Sequence, residues 1–256
     1  MSLQSQTINS FKWSFLSECA SKLVTPIVFL VTRKYLKPED FGVFVFATII
    51  ISFSNIFWGA GLSKALIQRQ DRIEDSANVI FWTNCFFGSI IFAILYLISP
   101  WVANYYQDEH FKNVLSALGL LVVFSSISSV QMALFQKEFK FKKLFWIRML
   151  TVALPGLISI PLAIYGYGYW ALVAGSLVGQ FFQTILLWAM SPWRPKIWFD
   201  FALFKELWKF GIWVMMSSLL SWFYTWVDSI VIGFYLTSNE LGIYSSGNTF
   251  AAMIFG

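Results

Sequence analysis

The chain has 256 residues, of which 58% are hydrophobic and 20% aromatic, while Asp, Glu, Lys and Arg together make up only 12%. Soluble domains carry about a quarter of their residues as charges, so a water-soluble globule is excluded. A net charge of +5 with one histidine and two cysteines leaves no disulfide framework, no zinc-ligand spacing and no His-centred triad.

Met1 to Ser10 is polar, and the first apolar stretch after it has neither the short core nor the small-residue cleavage site of a signal peptide. The first helix is therefore expected to stay in the membrane instead of being removed. A bilayer core about 30 Å thick needs roughly 20 apolar residues per helix. Seven stretches meet that length, at 13–33, 41–63, 77–100, 114–136, 144–165, 169–190 and 210–236. An eighth begins near Leu241 and is still apolar at Gly256. An unfinished crossing leaves backbone groups without partners in lipid, so the expectation is a C-terminally truncated chain.

The first stretch carries Ser14, Ser17, Glu18, Ser21, Lys22 and Thr25 at i, i+3, i+4, i+7 spacing, which puts them on one helix face. In the second, Thr48, Ser52, Asn55 and Gly59 share a face. The fifth holds Arg148 a few residues from its start, within reach of the surface by snorkelling. In the seventh, Ser217, Ser218, Ser221, Thr225 and Asp228 line up, and Asp228 has no charged neighbour within one turn. Cys19 and Cys85 lie inside apolar stretches and read as packing residues, whereas His110 comes after Asp108 and Glu109 in a polar loop.

The loops give the orientation. The N-terminal tail and the loops after stretches two, four and six hold twelve Lys and Arg residues, from Lys12 to Lys209, against four (Arg33, Lys34, Lys37 and Lys112) on the other side. The positive-inside rule then places the N-terminus in the cytoplasm. The segment Lys137-Glu138-Phe139-Lys140-Phe141-Lys142-Lys143 alternates basic and aromatic residues there, as a membrane-surface turn or a dock for anionic lipid does. No basic stripe with base-stacking aromatics sits in a soluble segment, so nucleic acid is not an expected partner.

Shifting the chain by 200 residues aligns it with itself. Tyr35-Leu36 and Asp40-Phe41-Gly42-Val43 return as Tyr235-Leu236 and Glu240-Leu241-Gly242-Ile243, and Trp13, Ser17, Ser21, Thr25 and Val31 match Trp213, Ser217, Ser221, Thr225 and Val231. The seventh stretch is then a second copy of the first. Six stretches separate the copies, so both enter the membrane in the same direction, as in parallel-repeat transporters. The fold expected is an all-α polytopic membrane protein, with one complete six-helix bundle over 1–200 and the beginning of a second over 201–256.

Polar stripes at matching positions of a repeat point to one aqueous cavity between the halves. The competing reading makes the hydroxyls helix-packing residues and joins Glu18 to Lys22 as a static i, i+4 pair. An ionised side chain near the bilayer centre costs about 2.5–3.5 kcal/mol and is usually tied to a pathway or a partner. The expected cavity residues are Glu18, Ser21, Lys22, Thr25, Asn55, Arg148, Ser221, Thr225 and Asp228, with Lys22 attracting an anionic headgroup and Glu18 poising its charge or exchanging a proton. No phosphate-binding loop, dinucleotide fingerprint, H-E-x-x-H or G-x-S-x-G occurs, so neither ATP hydrolysis, enzymatic chemistry nor a bound cofactor is expected.

Several segments carry a resemblance: Leu36-Lys37-Pro38-Glu39-Asp40-Phe41-Gly42, Gly61-Leu62-Ser63-Lys64-Ala65-Leu66-Ile67-Gln68-Arg69, Phe81-Trp82, Phe135 to Lys142, Gly166-Tyr167-Gly168-Tyr169-Trp170, Trp193-Arg194-Pro195, and Asp228 with Ile232-Gly233. In order and spacing the chain resembles the polysaccharide-transporter branch of the multidrug/oligosaccharidyl-lipid/polysaccharide exporter superfamily. The resemblance implies two six-helix bundles facing a central cavity in the bacterial inner membrane. It further implies ion-driven flipping of an undecaprenyl-pyrophosphate-linked oligosaccharide for surface polysaccharide, including lipopolysaccharide, assembly, with membrane lipid and other assembly proteins as partners. Similar proteins often place a basic or polar residue just before the aspartate, where Trp226-Val227 stand here. A drug exporter of the same superfamily is the nearest alternative. A membrane polymerase or glycosyltransferase fits less well, because the outer loops are too short for a catalytic domain, and a non-transporting structural partner would leave Glu18, Lys22 and Asp228 dispensable.

The topology has a direct test. An epitope inserted after Lys112 is expected to react with a membrane-impermeant reagent from outside intact cells, and reaction only after opening the cytoplasm inverts the assignment.

Overall fold

A computed structural model gives the architecture, and it describes residues 3–106 and 108–255. The chain runs through α1 (Leu3–Tyr35), α2 (Pro38–Asn55), a π-helical turn (Ile56–Ala60), α3 (Gly61–Gln68), α4 (Ile73–Tyr106), α5 (His110–Lys137), α6 (Phe141–Ile164), α7 (Tyr169–Met190), α8 (Phe201–Tyr235) and α9 (Ser238–Phe255). The described residues form no strand, as hydrocarbon favours when helices satisfy their own backbone groups. Among the described residues, six helices (α1 from Phe11, α4, α5, α6, α7 and α8) are long and apolar enough to cross a membrane, which makes this a multi-pass membrane protein.

The second expected span is one continuous helical run from Pro38 to Gln68, made of α2 and α3 with a π bulge at Ile56–Ala60 between them. α3 meets α8 at glycines: a Cβ on Gly61 would overlap the carbonyl oxygen of Gly211, so the two backbones touch. α8 starts at Phe201, nine residues before the apolar stretch begins, because Asp200 caps it. Its Oδ1 accepts from the backbone N–H groups of Ala202 (2.9 Å) and Leu203 (3.1 Å).

α5 is the central helix. Phe111, Val114, Leu115, Leu118 and Val122 bury its first half among α2, α4 and α7, and Val130, Ala133 and Leu134 bury its second half among α3, α4 and α8. The outer helices expose large apolar side chains, such as Trp101 on α4 and Leu157 on α6. In a membrane-spanning chain that surface meets lipid, where exposure of apolar groups carries no penalty.

The repeat is visible in the contacts. At the start of α2, the Lys37 N–H donates to Asp40 Oδ2 (3.0 Å), and at the start of α9 the Thr237 N–H donates to Glu240 Oε2 (2.8 Å), the same cap 200 residues on. α2 and α9 lie against each other. A Cβ on Gly42 would overlap the carbonyl oxygen of Ser238, and one on Gly242 would overlap that of Pro38. Each contact becomes the other when the copies are exchanged, as a two-fold rotation requires.

The motifs that carried the resemblance mostly touch one another. Asp40 Oδ1 also accepts from the Tyr169 N–H (3.0 Å), where Gly168 turns the chain at φ 56°. The buried Asn78 holds the segment between α7 and α8: its Oδ1 accepts from the Lys196 N–H (2.7 Å) and its Nδ2 donates to the Trp198 carbonyl. Trp82 Nε1 donates to the Lys196 carbonyl (2.8 Å), and Phe81 meets Trp193 at 5.8 Å. Lys137 Nζ donates to the Ile67 (3.1 Å) and Arg69 carbonyls at the end of α3. Arg69 pairs with Glu206 (2.8 Å) and Arg72 with Asp200 (3.0 Å), tying α3 and α4 to α8. The basic–aromatic segment is engaged within the protein too, with Lys142 over Trp13 and Lys143 over Phe135, both at 5.7 Å.

Stability measurements can test both kinds of joint. Gly42→Val, which forces a side chain into the α2–α9 contact, is expected to lose about 3 kcal/mol, whereas Gly247→Ala, whose Cβ meets nothing within 4 Å, changes stability by about 1 kcal/mol or less and in the stabilising direction. Thermal unfolding in detergent reads both. The two backbone N–H bonds and Arg72 hold the Asp200 carboxyl below its usual value. A depressed carboxyl contributes stability that is fully present above about pH 4 and is lost as pH falls through the lower folded value. Asp200→Ala is therefore expected to lower the melting temperature at neutral pH, with the gap from wild type closing in strong acid.

Candidate functional site

The α1 stripe holds both buried and exposed residues. Ser17 is 4% exposed, and Ser21 Oγ donates to the Ser17 carbonyl (3.0 Å), where α1 packs against α6. The packing is close: a Cβ on Gly156 would overlap the Val28 side chain. Ser14, Glu18, Lys22 and Thr25 stand exposed. Glu18 reaches across to α6, where its Oε2 lies 4.0 Å from Arg148 Nη1, with the two side chains 61% and 49% exposed. Arg148 is thus a cross-helix partner of Glu18, a pairing that i, i+4 spacing on α1 cannot reveal.

On α8, Ser221, Thr225 and Asp228 are all exposed, and Thr225 Oγ1 donates to the Ser221 carbonyl (2.9 Å) of its own helix. Asp228 Oδ2 accepts from the Tyr244 hydroxyl of α9 (3.3 Å), which supplies the partner that the sequence left open. Trp222, on the same helix, donates from Nε1 to Ser52 Oγ (2.9 Å) and joins α8 to α2. Asn55 sits where the π turn begins, and its Oδ1 is buried without a hydrogen-bond partner among the described residues. π turns concentrate at functional positions, and an orphaned acceptor beside one fits a ligand or an ordered water.

The nine expected residues therefore fall in three places. Glu18, Ser21, Lys22, Thr25 and Arg148 gather on α1 and α6, Asn55 stands at the π turn, and Ser221, Thr225 and Asp228 run along α8. α1 is held by α6 and α8 by α3, so separate contacts fix the two charged groups. Among the described residues no three His, Cys, Asp or Glu side chains are grouped to hold a metal, and Cys19 and Cys85 are free thiols. His110 opens α5, with its Nδ1 3.0 Å from the Tyr169 hydroxyl.

A polar hollow inside the bundle escaped the charge-based reading. A space of about 170 Å³ between α1, α5 and α6 is lined by Trp13, Ser14, Ser17, Gln136 and Arg148 among others. Across Met132 and Gln136 it adjoins a second space of about 360 Å³ lined by Ser63, Lys64, Ser125, Ser129, Gln180 and Gln183. The available signal was the glutamines: Gln136 and the i, i+3 pair Gln180 and Gln183 interrupt stretches that are otherwise apolar.

Known proteins share both the sequence and the helix arrangement. The family described as "Polysaccharide biosynthesis protein" matches residues 31–255. The chain is 25% identical over 241 residues to the succinoglycan biosynthesis transport protein ExoT of Rhizobium meliloti, covering 94% of this chain and 49% of that protein. It is 26% identical over 251 residues to the teichuronic acid biosynthesis protein TuaB of Bacillus subtilis (95% and 51% covered), and 22% identical over 251 residues to the lipopolysaccharide biosynthesis protein WzxC of Escherichia coli (96% and 50% covered). The chain spans about half the length of these relatives. A solved multidrug resistance MATE family transporter of the MOP superfamily, in an inward-facing conformation, superposes with a TM-score of 0.63 at 13% identity, over 91% of this chain and 58% of that one. This likeness establishes the fold alone.

Whether the hollow is wet can be measured. With Cys19 and Cys85 replaced, Ser125→Cys is expected to react with a water-soluble maleimide roughly ten-fold faster than Leu157→Cys on the lipid-facing surface, because only a hydrated thiol ionises readily. Equal rates indicate a dry hollow.

Proposed function

The chain belongs to the polysaccharide biosynthesis protein family, and from that premise we propose that it moves a lipid-linked oligosaccharide repeat unit across the bacterial inner membrane for surface polysaccharide assembly. The cargo in this reading is an undecaprenyl-pyrophosphate-linked oligosaccharide, flipped from the cytoplasmic to the outer leaflet. The observation that carries it is the family match over residues 31–255 of a multi-pass membrane protein. Support comes from relatives named for succinoglycan transport and for teichuronic acid and lipopolysaccharide biosynthesis.

Residues 1–200 form the first bundle of this transporter, and α8 and α9 begin the second. The N-terminus faces the cytoplasm, on the side of Arg69, Lys137 and Lys196. Membrane lipid surrounds the bundle, and other assembly proteins receive the cargo.

The mechanism rests on charge held in apolar surroundings. A pyrophosphate entering from water needs cations to meet it, and Lys22 and Arg148 offer two on neighbouring helices. Glu18 faces Arg148 and is the group that the anionic cargo displaces from the guanidinium. Coupling to an ion gradient is assigned in this reading to Glu18. Asp228, held by the Tyr244 hydroxyl, plays the corresponding part on α8.

In the full-length protein, Lys22→Ala and Asp228→Asn are each expected to cut polymer export at least roughly ten-fold at unchanged membrane abundance, the effect of losing one charge-assisted contact. Wild-type export in both variants removes these residues from the pathway. The reading as a whole is tested on cells lacking the intact gene. Repeat units accumulating on the cytoplasmic leaflet, with loss of surface polymer, are the expected result, whereas unchanged lipid and polymer overturn it in favour of drug export.

A further inference from the structure

We propose that the hollow between α3, α5 and α7 is a subsite for a phosphorylated sugar, with Gln136, Gln180 and Gln183 reading the sugar and Lys64 holding the phosphate. The inference rests on the transport reading above and assigns the carbohydrate part of the cargo to a place in the bundle. Four observations lead to it.

The first is chemistry. Beside Ile67, Met132, Ala133 and Leu187, the lining contains amides, hydroxyls and one ammonium, with no carboxylate and no aromatic ring. A site for organic cations or apolar drugs has the opposite make-up, whereas a carboxamide both donates and accepts and so matches the alternating demands of sugar hydroxyls. The second is the state of those groups. Among the described residues, the side chains of Ser63, Lys64, Ser125, Gln136, Gln180 and Gln183 make no hydrogen bond or ion pair with the protein. Their polar atoms are accessible from one shared space, so donors and acceptors stand ready there for water or a ligand.

The third is arrangement. Gln180 and Gln183 stand one turn apart on α7 and face Ser125 and Gln136 on α5, which gives the hollow two polar walls. Lys64, on α3, is exposed at the edge, where a phosphate keeps part of its hydration. The fourth is size and continuity. The hollow of about 360 Å³ falls in the range of small-ligand sites, roughly 300–1,000 Å³, and it opens past Gln136 toward Arg148. A sugar in this space lies one hollow away from Arg148, which together with Lys22 is assigned above to the pyrophosphate.

The experiment uses the purified full-length protein with Ser125→Cys as its sole cysteine, labelled by a maleimide. Glucose 1-phosphate is expected to slow labelling at concentrations where glucose and inorganic phosphate have little effect, and Lys64→Ala is expected to weaken that protection about ten-fold. The pair Gln180→Leu and Gln183→Leu abolishes it, while Gln180→Asn with Gln183→Asn keeps part of it. No protection by glucose 1-phosphate, or equal protection by phosphate alone, overturns the subsite. If protection is absent and cells without the gene still accumulate repeat units, the subsite falls and the transport reading stands. If protection is present and those cells are unchanged in lipid and polymer, the transport reading falls and the sugar-phosphate site remains.

Discussion

In hydrocarbon no water is available to backbone N–H and C=O groups, and every other feature of this protein is arranged around that shortage. Within a helix the problem solves itself, and at the ends of the helices side chains join water in meeting the orphan donors and acceptors. Asp40, Glu240 and Asp200 meet the donors at the starts of α2, α9 and α8, and Lys137 meets the carbonyls at the end of α3. Asn78 and Trp82 do the same for the extended segment between α7 and α8. These groups also join elements far apart in sequence: Asp40 serves both α2 and α7, and Asp200 both caps α8 and pairs with Arg72. Saturating the helix ends therefore fixes the order of the bundle.

Between the ends, packing of small residues does the remaining work. With lipid as apolar as the side chains, burying leucine gains little, and helices associate where backbones can approach. Gly42 against Ser238, Gly242 against Pro38, Gly61 against Gly211 and Gly156 against Val28 are four such places. Two of them are one contact written twice by the repeat, so the same sequence feature that duplicates the helices also makes the joint between the copies. The close approach at Gly61 sits directly after the π turn, where α3 must lie against the backbone of α8 while α2 lies against α9.

These two constraints explain what could be read in advance. The spans and the repeat were legible because each is a one-dimensional pattern that needs no knowledge of neighbours. The π bulge in the second span was not, since nothing in Ile56 to Ala60 is less apolar than its surroundings, while Gly61 just after it makes the close contact with α8. The start of α8 was missed because Phe201 to Lys209 is amphipathic at the membrane surface, while hydropathy registers only the span beyond it. At the site, Glu18 and Asp228 stood out as charges among apolar residues. Their partners Arg148 and Tyr244 lie on other helices and depend on packing that no spacing rule reaches. Most of the motif resemblance turned out to record structural locks, Asp40 with Tyr169 and Phe81-Trp82 with the Trp193–Lys196 segment, more than cargo contacts.

The glutamine-lined hollow was overlooked for a different reason, which bears on how such a protein holds its cargo. Charges announce themselves because their insertion is expensive, so a search for cost finds Glu18, Lys22, Arg148 and Asp228 first. A neutral amide costs less and is easily taken for a packing residue. Yet a transporter that relied on charge alone would hold every anion equally and release none of them readily, because a desolvated ion pair is strong and has little preference for shape. Amides and hydroxyls reverse both properties: each contributes about 1 kcal/mol and only in the correct geometry. Under the proposed transport function, dividing the task between a few charged groups on α1, α6 and α8 and a neutral wall on α5 and α7 lets attraction and selection be set by different residues. Binding can then be specific without being too tight to reverse.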